Sequence, residues 1–270
     1  QQLGQLHADC YRQARSTATD PAAGLSHPAQ QSRTDSTQVL KANASRVQEA
    51  LRVIEEFART GDAELARTAA SVRYALYDHE VRILEACGRN LRLQRLDRSR
   101  LCLITDPGGS DCSAEMLKRV ELALATGVSL VQYRRKQGTD ALRLQEARQL
   151  AELCQAYQAL LIINDRIDLA LLVNADGVHL GQDDLPHAAA RQLMGPEKLI
   201  GRSTHRLAQL EQAQEEGADY LGVGAVYATA TKADRTAAGL GWVRDASASA
   251  RIPWFAIGGI NGDNITEVLA

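Results

Sequence analysis

The chain is 270 residues long, 45% hydrophobic and 24% charged, the proportions of an ordinary globular protein and not of a disordered, collagen-like or disulfide-stapled one. Its 31 Lys and Arg nearly balance 33 Asp and Glu, for a net charge of −2, which gives no electrostatic reason to expect nucleic acid or an anionic membrane as partner. The cysteines, Cys10, Cys87, Cys102, Cys112 and Cys154, are odd in number and form no C-x-x-C pair, so a reducing cytoplasm is expected over a disulfide framework.

The amino end, QQLGQLHADC, has neither an initiator Met nor a charged-then-apolar leader, and the natural start is expected upstream. Residues 19–35 are rich in turn formers and read as a loop. From there Leu40, Ala44, Val47, Leu51, Ile54 and Ala58 recur at helical spacing, and so do Leu65, Ala69, Val72, Leu76, His79 and Ile83. With Gly61 as a stop and Asp62 as an N-cap, the pattern predicts an antiparallel helical hairpin. His79 reads as a packed or edge residue and not a ligand. The arginine-rich run 89–100 reads as a solvated linker, because no aromatic side chains interleave with it as a nucleic-acid surface would need. Residues 1–98 are thus expected to form a helical extension and 99–270 a second domain.

Beyond Arg100 short buried runs recur: LCLIT from Leu101, SLVQY from Ser129, ALLIIN from Ala159, GVHL from Gly177, LIGRS from Leu199, DYLGVG from Asp219 and PWFAIGG from Pro253. Helix-like segments lie between most of them, as at 115–125, 141–157 and 207–216. None of the apolar runs approaches the about 20 residues that cross a bilayer. Buried strands alternating with helices predict βαβ units and a parallel sheet. Seven such units point to a TIM (β/α)8-type barrel, cut before its eighth strand. A doubly wound sheet would need a G-x-G-x-x-G after the first strand, and there is none.

Barrel chemistry sits at the carboxyl ends of the strands. There the sequence places Gln132, Tyr133, Arg134, Arg135 and Lys136 after the second run, then Asn164 and Asp165, Gln182, Asp183 and Asp184, and Ser203, Thr204 and His205. Thr229, Ala230, Thr231 and Lys232 follow the sixth run, and Gly258 and Gly259 close the seventh. Arg134 and Lys136 fall on one side of a strand and, with Lys232, suit a polyanion such as diphosphate. Asp165 and Asp184 are hard oxygen ligands of the kind Mg²⁺ takes. Thr229, Thr231 and the amides of Gly258–Gly259 suit a phosphate monoester. Each feature alone has a plainer reading as solvated surface, helix cap or tight turn, and only their joint placement points to a phosphate-handling enzyme. His179 and His205 have no Ser or Cys beside them that makes a triad and read as structural, and no Cys/His spacing suggests zinc.

The motifs QYRRK, INDRIDLAL, ADGVHLGQDDLP, LIGRSTH, GADYLGVGAVYATATK and PWFAIGGIN together resemble the thiamine-phosphate synthase family, from Leu101 to the end of the chain. The preceding helices resemble the extension of its longer forms. The resemblance implies a transferase that joins hydroxymethylpyrimidine diphosphate to a thiazole phosphate, diphosphate leaving first and the thiazole nitrogen capturing a pyrimidine cation. It implies that Gln132, Arg134, Lys136, Asn164 and Lys232 hold the pyrimidine diphosphate, with Tyr133 and Arg135 in the same motif. It further implies that Ser203 meets the pyrimidine, that Asp165 and Asp184 bind Mg²⁺, and that Thr229, Thr231 and Gly259 bind the thiazole phosphate, with Ala230 between them. Arg134, Lys136 and Lys232 would carry the catalysis. Two other functions stay open: a sister barrel that aromatises the thiazole, and a non-catalytic module whose hairpin is the working surface. Small-molecule substrates are the expected partners, and homo-oligomerisation is left open.

Overall fold

A computed structural model describes residues 36–105, 113–228 and 237–269. Contacts divide the chain into two units at Cys87 and Gly88. The first holds helix α1 (Ser36–Ala58) and the earlier part of helix α2 (Ala63–Arg98). Asp62 caps α2: its Oδ1 accepts from the amides of Glu64 at 3.1 Å and Leu65 at 2.9 Å, which satisfies donors that the first helical turn leaves open. The helices run antiparallel, tied by Arg73 to Glu55 at 2.9 Å and by Gln48 to Glu80 at 2.5 Å.

The seam is rotated from the predicted stripes. Ala44, Leu51, Ala58, Ala66 and Ala69 are buried, but Val47 and Ile83 are half exposed and His79 faces solvent. Glu55 takes a seam position because hydrogen bonds from Arg73, then Arg59, neutralise it and hold its carboxyl below the usual range. A spacing count scores a charged residue as outside and cannot foresee a paired one inside.

The second unit is a β/α barrel of the TIM type. Its strands are β1 (Cys102–Ile104), β2 (Leu130–Tyr133), β3 (Leu160–Asn164), β4 (Gly177–Leu180), β5 (Leu199–Thr204), β6 (Tyr220–Gly224) and β7 (Trp254–Ile257). Among the described residues they form one seven-stranded sheet in sequential order, every neighbouring pair parallel. Its helices are α3 (Ser113–Ala125), α4 (Asp140–Ala156), α5 (Ile167–Leu172), α6 (His187–Met194), α7 (Leu207–Glu215), α8 (Gly239–Ser249) and α9 (Ile265–Leu269). No described helix is long and apolar enough to cross a membrane.

Strand parity builds two layers of core. Val131, Leu161, Ile163, Val178 and Leu180 pack outward against the helices, while Leu130, Leu160, Ile162, Leu199 and Tyr220 fill the lumen. The arginine-rich run is no linker. It is the last part of α2, whose fully buried Leu96 joins the lumen cluster, while Arg89 and Arg92 pair with Asp219 and Asp176. The barrel unit therefore begins before residue 99, because this amphipathic turn packs on the amino ends of the strands.

At Gly177 the two strands meet without room for a side chain: a Cβ there would stand 2.2 Å from the Leu199 carbonyl oxygen. Since the obstacle is backbone, Gly177→Ala is expected to lose about 1–3 kcal/mol or more, read as a fall of several degrees in Tm. An unchanged melting curve would mean that β4 and β5 can part freely.

Candidate active site

The pleat of β2 sorts its motif. Gln132 and Arg134 face the lumen. Tyr133 and Arg135 face the helices, where the Tyr133 hydroxyl donates to Glu146 Oε2 at 2.6 Å and Arg135 Nη1 to Oε1 at 3.1 Å. Burial, then the hydrogen bond to Glu146, pushes the Tyr133 phenol far above its ordinary value. The side chains of Tyr133 and Arg135 thus brace the motif from behind and do not enter the mouth, as strand alternation requires. Arg143 of α4 adds to the brace, donating to the carbonyls of Arg135 at 3.3 Å and Lys136 at 2.8 Å.

Asn164 ends β3, and Asp165 turns the chain with φ of 63°, a left-handed conformation that Asp and Asn tolerate better than most residues. Its amide donates to the His179 carbonyl at 2.9 Å, which places it beside β4. In the loop after β4, Asp184 Oδ2 accepts from the Gly181 amide at 2.6 Å. Arg202 holds the Gly181 carbonyl at 3.0 Å and Gln182 the Ser203 carbonyl at 2.6 Å, so this acid-bearing loop is fastened to β5. Gly258 and Gly259, with φ of 103° and 67°, let the end of β7 lie against the loop after β6. A Cβ on Gly259 would be 2.7 Å from that of Tyr227.

These elements enclose a cavity of about 250 Å³ at the carboxyl ends of the strands, lined by Gln132, Arg134, Asn164, Ser203 and Gly259 among others. Five residues predicted from four different segments thus share one wall. Lys136, Asp165 and Asp184 lie in the loops that leave β2, β3 and β4. Thr229, Ala230, Thr231 and Lys232 lie outside the described residues. His179 and His205, read from sequence as structural, also line the cavity. His179 Nε2 lies 2.9 Å from Ser203 Oγ, and His205 Nδ1 is hydrogen-bonded to the Gly224 carbonyl. The signal that could have placed them is parity: His179 shares its strand face with Gly177, and His205 continues the face of Gly201 and Ser203. A larger cleft of about 670 Å³, bordered by Arg92, Arg148 and Asp176, opens near the amino ends of β3 and β4 and gathers none of the predicted residues.

Comparison with known proteins shows the family. The family model described as thiamine monophosphate synthase matches residues 101–270, and a model of the ThiD2 family matches residues 1–82. A thiamine-phosphate synthase of Synechococcus sp. strain WH7803 is 72% identical over 99% of this chain and 76% of its own length. One from Nostoc sp. strain PCC 7120 is 47% identical over 100% of this chain and 74% of its own. Among solved structures, a thiamine phosphate pyrophosphorylase of Pyrococcus furiosus superposes with a TM-score of 0.58 at 37% identity, over 65% of this chain and 82% of that one. The chain belongs to the thiamine-phosphate synthase family, enzymes of thiamine biosynthesis.

Proposed function

We propose that this chain condenses 4-amino-2-methyl-5-hydroxymethylpyrimidine diphosphate with 4-methyl-5-(2-phosphoethyl)thiazole to give thiamine phosphate and diphosphate, in the cytoplasm. The observation that carries this reading is the gathering of Gln132, Arg134, Asn164, Ser203 and Gly259 around one cavity. In the reaction the bond between the pyrimidine methylene carbon and the diphosphate oxygen breaks, its electron pair leaving with diphosphate. The thiazole nitrogen lone pair then forms the new C–N bond. That nitrogen has no proton to lose, so the chemistry needs no general base.

The work left to the protein is to stabilise charge on the leaving group, which fixed cations do well in a water-poor site. Arg134, Lys136 and Lys232 take that role, with Gln132 and Asn164 orienting the same substrate. Thr229, Thr231 and Gly259 receive the thiazole phosphate. No cluster of three or more His, Cys, Asp or Glu among the described residues is arranged for a metal, but Mg²⁺ asks only one or two carboxylates when water and phosphate complete its shell. Asp165 and Asp184, hard oxygen donors following adjacent strands, fit that requirement. Mg²⁺ held there would supply charge neutralisation for the departing diphosphate.

The test is formation of thiamine phosphate by this chain from the two substrates, with Mg²⁺ and with chelator. Metal-dependent product is expected. Aromatisation of a thiazole phosphate with no C–N bond formed would assign the sister activity instead, and no turnover of either kind would favour the binding module.

A further inference from the structure

Arg202 is the one buried arginine among the described residues, with 7% of it exposed. The other buried charges, Glu55, Glu146, Lys198 and Asp219, each pair with an opposite charge. No carboxylate among the described residues pairs with Arg202, and a buried cation without a counter-charge is unfavourable. Strand parity sets its direction: Leu199 fills the lumen, so Ile200 and Arg202 face the helices.

What the guanidinium meets there is the turn after β4. Its Nη1 donates to the Gly181 carbonyl at 3.0 Å and to the Leu185 carbonyl at 3.4 Å. Those carbonyls stand at the two ends of the segment that carries Asp183 and Asp184. Asp184 closes the same turn from within, its Oδ2 accepting from the Gly181 amide at 2.6 Å. One oxygen of Asp184 is thus committed to the backbone, and Oδ1 is the oxygen left for a cation. Arg202 does not line the cavity, so any effect it has on the chemistry passes through this turn.

We propose that Arg202 is a positioning residue for Mg²⁺, stapling the 181–185 turn from behind so that Asp184 is held in place to receive the ion. The inference rests on the proposed assignment of Asp184 to Mg²⁺ and names what on this chain sets that acid's place. Groups that orient a metal ligand change metal affinity about ten- to a hundredfold. Charge alone works the other way, since removing a nearby cation favours Mg²⁺. A loss of affinity on neutralising Arg202 therefore reads the staple and not the charge.

The test is calorimetry of inorganic diphosphate binding to the full chain, with and without Mg²⁺, in the wild type and in Arg202→Met, Arg202→Lys and Asp184→Asn. In the wild type Mg²⁺ should tighten binding about tenfold or more. In Arg202→Met and Asp184→Asn that gain should shrink to about twofold, while the metal-free affinity, assigned to Arg134, Lys136 and Lys232, stays within about twofold of wild type. Arg202→Lys, whose ammonium can also give two bonds from one nitrogen, should recover most of the gain. Combining Arg202→Met with Asp184→Asn should reduce it no further than either alone, because both act through one carboxylate. A full gain in folded Arg202→Met, with loss in Asp184→Asn, would overturn the role of Arg202 and leave the metal assignment standing. Equal weakening of metal-free binding would also overturn it, as the mark of a site that has merely loosened. No gain in the wild type would remove Asp184 from the metal, and the proposal with it. Melting curves check folding; if Arg202→Met does not fold, Arg202→Gln takes its place, and a gain equal to wild type overturns the proposal in the same way.

Discussion

Asp184→Asn is expected to cut turnover about a hundred- to a thousandfold, the scale on which single electrostatic contributors to a reacting charge act, while binding of the thiazole phosphate stays intact. The substitution is clean for a structural reason. Asp184 Oδ2 accepts from the Gly181 amide at 2.6 Å, and the amide oxygen of Asn can accept the same bond. The loop after β4 keeps its turn and its ties to Arg202 and Gln182, and only the charge is lost. Asp165→Asn is matched to it, because Asn tolerates the positive φ of 63° that Asp165 adopts. Saturating kinetics across a Mg²⁺ titration, with calorimetry of thiazole phosphate binding, would check both. Wild-type turnover in both variants would end the assignment of these acids to the metal. Weakened thiazole binding with turnover preserved would move them to the other substrate.

The barrel could be read from the sequence because parallel strands buried on both faces are near-continuous apolar runs. All seven appear within a residue or two of their observed bounds. The short helices α5 and α6 leave no legible pattern in the sequence, since six or eight residues give too few turns for a periodicity to show. The last part of α2 is hidden for another reason. Its arginines look solvated in sequence, but Arg89 and Arg92 meet carboxylates 130 and 84 residues away, and such pairing leaves no local trace. In the site, strand alternation separated Arg134 from its neighbours, as expected for that residue. Applied equally to Tyr133 and Arg135, it would have turned them away from the mouth, and applied to GVHL it would have turned His179 inward. The periodicity was available; what sequence could not give was the Glu146 that awaits Tyr133 and Arg135, or the glycines, Gly201 and Gly222, that admit Tyr220 and His179.

Removal of the Asp219 carboxylate, as in Asp219→Ala, is expected to cost about 3–5 kcal/mol, the penalty for breaking a buried ion pair from one side. The carboxylate has no solvent exposure. It accepts from Arg89 Nη2 at 2.7 Å, Arg191 Nη2 at 2.7 Å and the Ile200 amide at 2.8 Å. Arg89 is 41% exposed and Arg191 24%, so water screens part of the charge attraction and the lower end of the range is expected. The stranded Ile200 amide inside the sheet has no such relief. Asp168 supplies the control: it also pairs with an arginine, Arg166 at 2.6 Å, but is itself 60% exposed, and Asp168→Ala should cost no more than about 1 kcal/mol. Urea denaturation of the two variants separates the cases, and equal losses would show that Asp219 is reached by water. The larger loss also bears on the site, because Asp219 directly precedes Tyr220 at the start of β6. If a weakened anchor lets that strand shift, KM for the pyrimidine diphosphate should rise in Asp219→Ala and stay unchanged in Asp168→Ala, since only the former can disturb the ring that faces His179.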